Sequence, residues 1–124
     1  CGTQASMLHT LVNHNGNIAR ISRTLHTIRS DYANKLNIVQ LASEADMSVS
    51  AFHRAFKEVT SDSPMQYLKK IRLNKARDFI MQEEVKAYVV ADKVGYESVS
   101  QFSREFKRYF GKSPGEFIKE LRAR

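Results

Sequence analysis

Hydrogen-bonding and cationic side chains recur at two places in this sequence, at the same helical spacing each time. The first group is Ser50, His53, Arg54 and Lys57; the second, fifty residues on, is Ser100, Gln101, Ser103, Arg104, Lys107 and Arg108. Between them fall Phe52 and Phe56, then Phe102 and Phe106. On a helix that spacing turns the phenylalanines to one side and the polar residues to the other, so the aromatic rings are core and not stacking platforms for bases. Serine, glutamine and arginine can hydrogen-bond base edges or phosphates, and arginine fits the O6 and N7 acceptors of guanine. Matched positions in both groups argue against Arg54 and Arg104 serving only in surface ion pairs, for example with Glu58 or Glu105.

The elements that must position these residues are themselves repeated. Set over one another at an offset of 50, Ser48–Arg72 and Ser98–Arg122 share Ser48/Ser98, Val49/Val99, Ser50/Ser100, Phe52/Phe102, Arg54/Arg104, Phe56/Phe106, Lys57/Lys107, Ser63/Ser113, Pro64/Pro114, Lys69/Lys119 and Arg72/Arg122. Upstream the offset falls to 49, pairing Leu41 with Val90, Ala42 with Ala91 and Ala45 with Val94, so the second copy holds one extra residue near Glu97. Such internal agreement is the signature of a duplicated supersecondary unit. Each copy reads as a short helix, a tight turn, a longer helix and a helix opened by Ser-Pro, which is helix-turn-helix order. Gly95 in the second turn and Asp46 in the first stand where a left-handed residue ends a helix.

Upstream of the copies, Ile18, Ile21, Leu25, Ile28 and Tyr32 follow steps of three and four and predict one helix face. The cluster Asn13-His14-Asn15-Gly16-Asn17 predicts a loop, and Asn37 a helix cap. The helix from Pro64 is expected to reach about Gln82, packing on the first copy through Leu68 and Ile71 and on the second through Phe79 and Ile80. A rigid shared helix would hold both units, each too small to bury enough surface alone, at one spacing. The expected organisation is residues 1–17 as a linker, or the end of a missing N-terminal sensor domain, followed by 18–124 as the binding domain. Within it, 18–63 is the first unit, 64–82 the linker helix and 83–124 the second unit.

Composition narrows the classes. With 20 Lys and Arg against 13 Asp and Glu, the net charge of +7 favours an anionic partner without naming one. No apolar run approaches the roughly 18 residues of a membrane span, so no membrane role is expected. The single cysteine, Cys1, cannot close an internal disulfide and suggests a reducing compartment or a sequence cut from something longer. His9, His14, His26 and His53 lack metal-site spacing, and Glu83-Glu84 reads as solvated; no metal, cofactor or catalytic residue is expected.

The segment Val94-Gly95-Tyr96-Glu97-Ser98-Val99-Ser100-Gln101-Phe102-Ser103-Arg104-Glu105-Phe106-Lys107, followed by Phe110-Gly111-Lys112-Ser113-Pro114, resembles the signature of the AraC/XylS transcription regulators. So does Met47-Ser48-Val49-Ser50-Ala51-Phe52-His53-Arg54-Ala55-Phe56-Lys57; the resemblance covers about Ile18 to Leu121. Residues 1–16 are similar, over a shorter stretch, to the end of the sensor domain in one subgroup. The resemblance implies an all-α fold of seven helices, in two helix-turn-helix subdomains joined by a long linker helix, at the C-terminus of a larger bacterial regulator. It implies sequence-specific binding of double-stranded promoter or operator DNA by the third and sixth helices in successive major grooves. The base-facing residues would be Ser50, His53 and Arg54, then Val99, Ser100, Gln101, Ser103 and Arg104; Lys57, Lys107 and Arg108 would meet phosphate. RNA polymerase is a further expected partner, a small-molecule inducer would act only through the N-terminal domain, and the protein would be cytoplasmic, nucleoid-associated when bound.

Two features depart from the family pattern. Lys86 stands where a small polar cap is usual, before the β-branched run at Tyr88-Val89-Val90, and Val99 stands where a polar reader is common. Two rival functions are weighed against DNA binding. A class of relatives couples this motif to alkyl transfer in DNA repair, which needs an activated cysteine; Cys1 lies outside both motifs. A basic module for RNA or an acidic protein would not require readers to recur at matched sites.

Overall fold

The computed structural model assigns the backbone of residues 2–123 and describes side chains from residue 16 to residue 123. Among the described residues there are seven helices and no strand: α1 (Gly2–Ser30), α2 (Ile38–Glu44), α3 (Val49–Thr60), α4 (Pro64–Gln82), α5 (Ala87–Lys93), α6 (Val99–Phe110) and α7 (Pro114–Ala123). The all-α, seven-helix expectation holds. The chain forms two compact units, Cys1–Ser30 with Leu36–Tyr67, and Asp31–Lys35 with Leu68–Arg124.

In the first unit α1, α2 and α3 pack together. Ile21 and Ile28 of α1, Leu41, Ala42 and Ala45, and Phe52, Ala55 and Phe56 of α3 are buried. Phe56 packs at a tilt against Phe52 and meets the edge of Tyr67, with centroids 5.6 Å away in both cases. Two expectations for α1 need correction. Tyr32 lies beyond the helix end and packs against the core of the second unit, and Ile18 is 38% exposed. The buried position missed is Thr24, whose hydroxyl donates to the Ile21 carbonyl one turn back (2.7 Å) and so enters the core without an unpaired polar group. Gly16 and Asn17, expected in a loop, are helical; the rest of the linker expectation, residues 1–15, lies outside the described side chains.

The second unit has its own core: Leu73, Ala76 and Ile80 of α4, Val90, Ala91 and Val94, Tyr96, and Phe102 and Phe106 of α6. Phe117 of α7 meets the edge of Phe106 at 6.0 Å. The boundary between the units falls inside α4 after Tyr67, and Leu68, which is buried, is not among the residues of the second unit's core. Asp31–Lys35, the connector between α1 and α2, also belongs to the second unit, held there by Arg72. Its guanidinium donates to the carbonyls of Tyr32 (2.7 Å) and Asn34 (2.9 Å). Burial pulls the Arg72 pKa down from its ordinary value, opposed by Tyr96 and Glu105.

Local chemistry explains the helix ends. Ser48 and Ser98 accept from the amides of Ala51 and Gln101 at 3.2 Å, and Asn37 from Gln40 at 3.0 Å. Ser63 and Ser113 cap α4 and α7 in the same way, with Pro64 and Pro114 buried in the first turn. Lys86 makes no side-chain cap for α5, as its residue type foretold.

Candidate nucleic-acid interface

The turn that aims each outer helix is the same in both copies. The Met47 amide donates to the Ala42 carbonyl and the Asp46 amide to Ser43; in the second copy Tyr96 donates to Ala91 and Gly95 to Asp92. This double bond pattern closes a helix around one left-handed residue. That residue is Asp46 (φ 55°) in the first copy and Gly95 (φ 98°) in the second. The extra residue of the second copy is Glu97, between the last residue of this turn and the Ser98 cap. In the first copy Met47 is followed at once by the cap, Ser48.

From these turns α3 buries Phe52 and Phe56 completely, α6 buries Phe102 and Phe106, and each helix leaves the opposite face open. Ser50, His53, Arg54 and Lys57 are all exposed on α3, within an arc of about 100° at the helical repeat of 3.6 residues. On α6, Val99, Ser100, Gln101, Arg104, Lys107 and Arg108 are exposed and Ser103 is half-buried. On α6, Ser100, Arg104, Lys107 and Arg108 share an arc of about 100°, with Ser103 and Gln101 at its two edges and Val99, in the first turn, lying outside it. No ion pair joins Arg54 or Arg104 to another described residue; the acid suspected for Arg104, Glu105, instead pairs with Lys69 of α4 at 2.8 Å. Among the described residues neither arginine has a donor taken up, so both keep them for a partner.

Sequence reasoning passed over Val49, 40% exposed beside 44% for its equivalent Val99. The signal was present, since the two are identical in the repeat. It also passed over Glu105, which collects Lys69, the Tyr96 hydroxyl and, at 3.4 Å, the Gln101 side-chain amide. Burial pushes the Glu105 carboxyl up, but the hydrogen bonds from Lys69, Tyr96 and Gln101 outweigh it and hold the group below the ordinary glutamate range. The same contact, added to burial, drives the Tyr96 phenol well above its ordinary value. Nothing in the repeat marks Glu105, because its counterpart is Ala55.

Among the described residues no cluster of His, Cys, Asp or Glu could hold a metal ion, and no helix is long and apolar enough to cross a membrane. Glu83 pairs with Lys93 at 3.3 Å.

Two like-built units, each presenting the second helix of a helix-turn-helix with a polar, cationic outer side, define a double helix-turn-helix DNA-binding domain. The family model described as "Helix-turn-helix domain" matches residues 41–120. The chain belongs to that family, as the C-terminal DNA-binding domain type of the AraC/XylS regulators. It is similar to the HTH-type transcriptional activator RhaS of Escherichia coli O139:H28, 28% identical over 84 residues, which are 68% of this chain and 30% of that protein. The chain thus spans under a third of the length of the curated relatives it matches. Among solved structures it is similar to a DNA-binding transcriptional dual regulator from Escherichia coli K-12. That structure shows 29% identity, coverage of 82% of this chain and 91% of the other, and a TM-score of 0.73. It is also similar to the C-terminal domain of the two-component response regulator yesN from Fusobacterium nucleatum, with 26% identity, coverage of 78% and 95%, and a TM-score of 0.72.

Proposed function

We propose that α3 and α6 are recognition helices that enter successive major grooves of an operator and so regulate transcription. The observation that carries the reading is the recurrence, in both units, of an open polar side backed by a fully buried phenylalanine pair. A monomer with two such helices reaches the one-turn half-site spacing, roughly 34 Å, that single helix-turn-helix proteins reach by dimerising. Ser50, His53 and Arg54 read bases in one half-site; Ser100, Gln101, Ser103 and Arg104 read the other. Val49 and Val99, exposed at the start of each helix, offer apolar contact to thymine methyl groups. Lys57, Lys107 and Arg108, later on the same helices, neutralise phosphate.

The duplex-DNA reading is supported by the similarity to a transcriptional activator and to a DNA-binding dual regulator. We extend it to a cytoplasmic bacterial regulator, contacting RNA polymerase at the promoter and answering an inducer through a further domain. It is a binding module, and no residue is assigned a catalytic step.

Selection of bound duplexes from a random pool tests the proposal. The expected outcome is a consensus of two half-sites about 10 base pairs apart, centre to centre. Recovery of no consensus, or tighter binding of structured RNA than of the selected duplex, would overturn it.

A further inference from the structure

The two recognition helices differ in what stands behind them. In the first unit the positions equivalent to Gln101 and Glu105 are Ala51 and Ala55, and the residue that closes the turn is Met47. None of these can make a polar contact through its side chain except the weakly accepting thioether of methionine. In the second unit the corresponding residues form a connected set. Arg72, tied to the connector carbonyls of Tyr32 and Asn34, lies with its guanidinium carbon 5.9 Å from the Tyr96 ring centre. The Tyr96 hydroxyl donates to one oxygen of Glu105. Lys69 and the Gln101 amide nitrogen share the other, at 2.8 and 3.4 Å. Tyr96 is 8% exposed, and the Glu105 side chain 19%. The carboxylate is therefore held by donors from α4, from the turn and from its own helix, while Gln101 stands exposed at the edge of the reading side.

We infer that Glu105 is a positioning residue that sets the polarity of the Gln101 amide and thereby the base that α6 selects. The inference rests on the reading of α6 as a DNA-recognition helix. An ionised carboxylate only accepts hydrogen bonds, so it takes the NH2 end of the Gln101 amide and refuses the carbonyl end. One N–H is committed to Glu105; the second N–H and the carbonyl oxygen remain free, side by side and in a fixed order. That ordered donor and acceptor pair is the one that matches N7 and N6–H₂ of adenine in the major groove. A glutamine without such a neighbour presents either end and discriminates less. The first copy, with Ala51, has no reader at this position, so the selection belongs to the half-site under α6 alone.

Glu105→Gln tests this, because the substitute keeps the shape of Glu105 but can offer either a donor or an acceptor to Gln101. Random-duplex selection is run on the wild type, Glu105→Gln, Gln101→Ala and the double variant, with folding checked by circular dichroism. Glu105→Gln is expected to lower the preference at one base pair, the one Gln101→Ala erases, by at least about fivefold, the lower end of what a two-point side chain–base contact provides. Other positions should keep theirs, and the double variant should match Gln101→Ala alone. An unchanged preference at that pair, or an even decline at all pairs as a loosened helix would give, overturns the inference. Should Glu105→Gln not fold, Glu105→Asp keeps the charge but draws it back by one methylene, and the same single-position loss is expected. A wild type that selects no sequence overturns the DNA-reading function and this inference with it. A wild type with a consensus that Glu105→Gln leaves intact removes only the role of Glu105.

Discussion

Gly95 lies directly under the backbone of Ala33: a Cβ on the glycine would stand 2.6 Å from the Ala33 carbonyl oxygen, closer than such atoms approach in proteins. The turn that aims α6 is thus packed against the connector that Arg72 ties down, and it needs glycine twice over, for its left-handed φ of 98° and for the missing side chain. Gly95→Ala is expected to cost about 2–4 kcal/mol, from a left-handed alanine and a steric clash together. Asp46→Gly, at the equivalent turn, should be neutral or mildly stabilising. Urea unfolding of both variants checks this, and equal effects would contradict it.

The C-terminal end of α3 holds Ser61 at φ 66°, where α6 has Gly111 at φ 83°. Ser61→Gly is expected to stabilise the protein by about 0.5–1 kcal/mol, since the relief of left-handed strain exceeds the entropy glycine adds to the unfolded chain. A lower thermal midpoint for this variant would argue that the serine is not strained.

Arg72→Lys probes the connector clamp. Lysine keeps the charge but cannot reach two carbonyls from one planar group. A loss of about 1.5–3 kcal/mol is expected, the scale of hydrogen bonds to a charged donor. Hydrogen exchange should quicken at the amides around Asn34, whereas a variant as stable as the wild type would show the clamp to be incidental.

Acid stability reports on Glu105. Its carboxyl titrates below the ordinary glutamate range when folded, so the native state binds fewer protons than the unfolded chain there. Its contribution is present above the unfolded value, near pH 4.3, and fades as the pH falls through the folded one. Glu105→Gln should flatten that limb of the stability curve. Tyr96 acts in the opposite direction at alkaline pH: its raised phenol contributes below the ordinary tyrosine range, and the contribution is lost as pH rises through the folded value. A Glu105→Gln profile with the same acid slope as the wild type would contradict this assignment.

What could be read in the sequence is what the duplication doubles. Ser48/Ser98, Ser63-Pro64/Ser113-Pro114 and the phenylalanine pairs fall at matched positions, and in each case the same cap or the same buried ring is found. The outward placement of Arg54 and Arg104 follows from the same periodicity. What escaped is what breaks the symmetry. Arg72 matches Arg122 in the alignment, yet only Arg72 faces backbone carbonyls of a segment forty residues earlier. Glu105 answers Ala55, and its partners come from three separate segments. The predicted loop near Gly16 failed for a local reason: one glycine in a helix costs only about 1 kcal/mol, less than packing can supply.

The two-groove reading is tested most directly by mapping base preferences of Arg54→Ala and Arg104→Ala on the selected operator. Each substitution is expected to weaken binding by about 1–3 kcal/mol and to relax preference in one half-site only, the two affected half-sites lying one helical turn apart. Relaxation of the same bases by both variants, or wild-type affinity in either, would contradict the account.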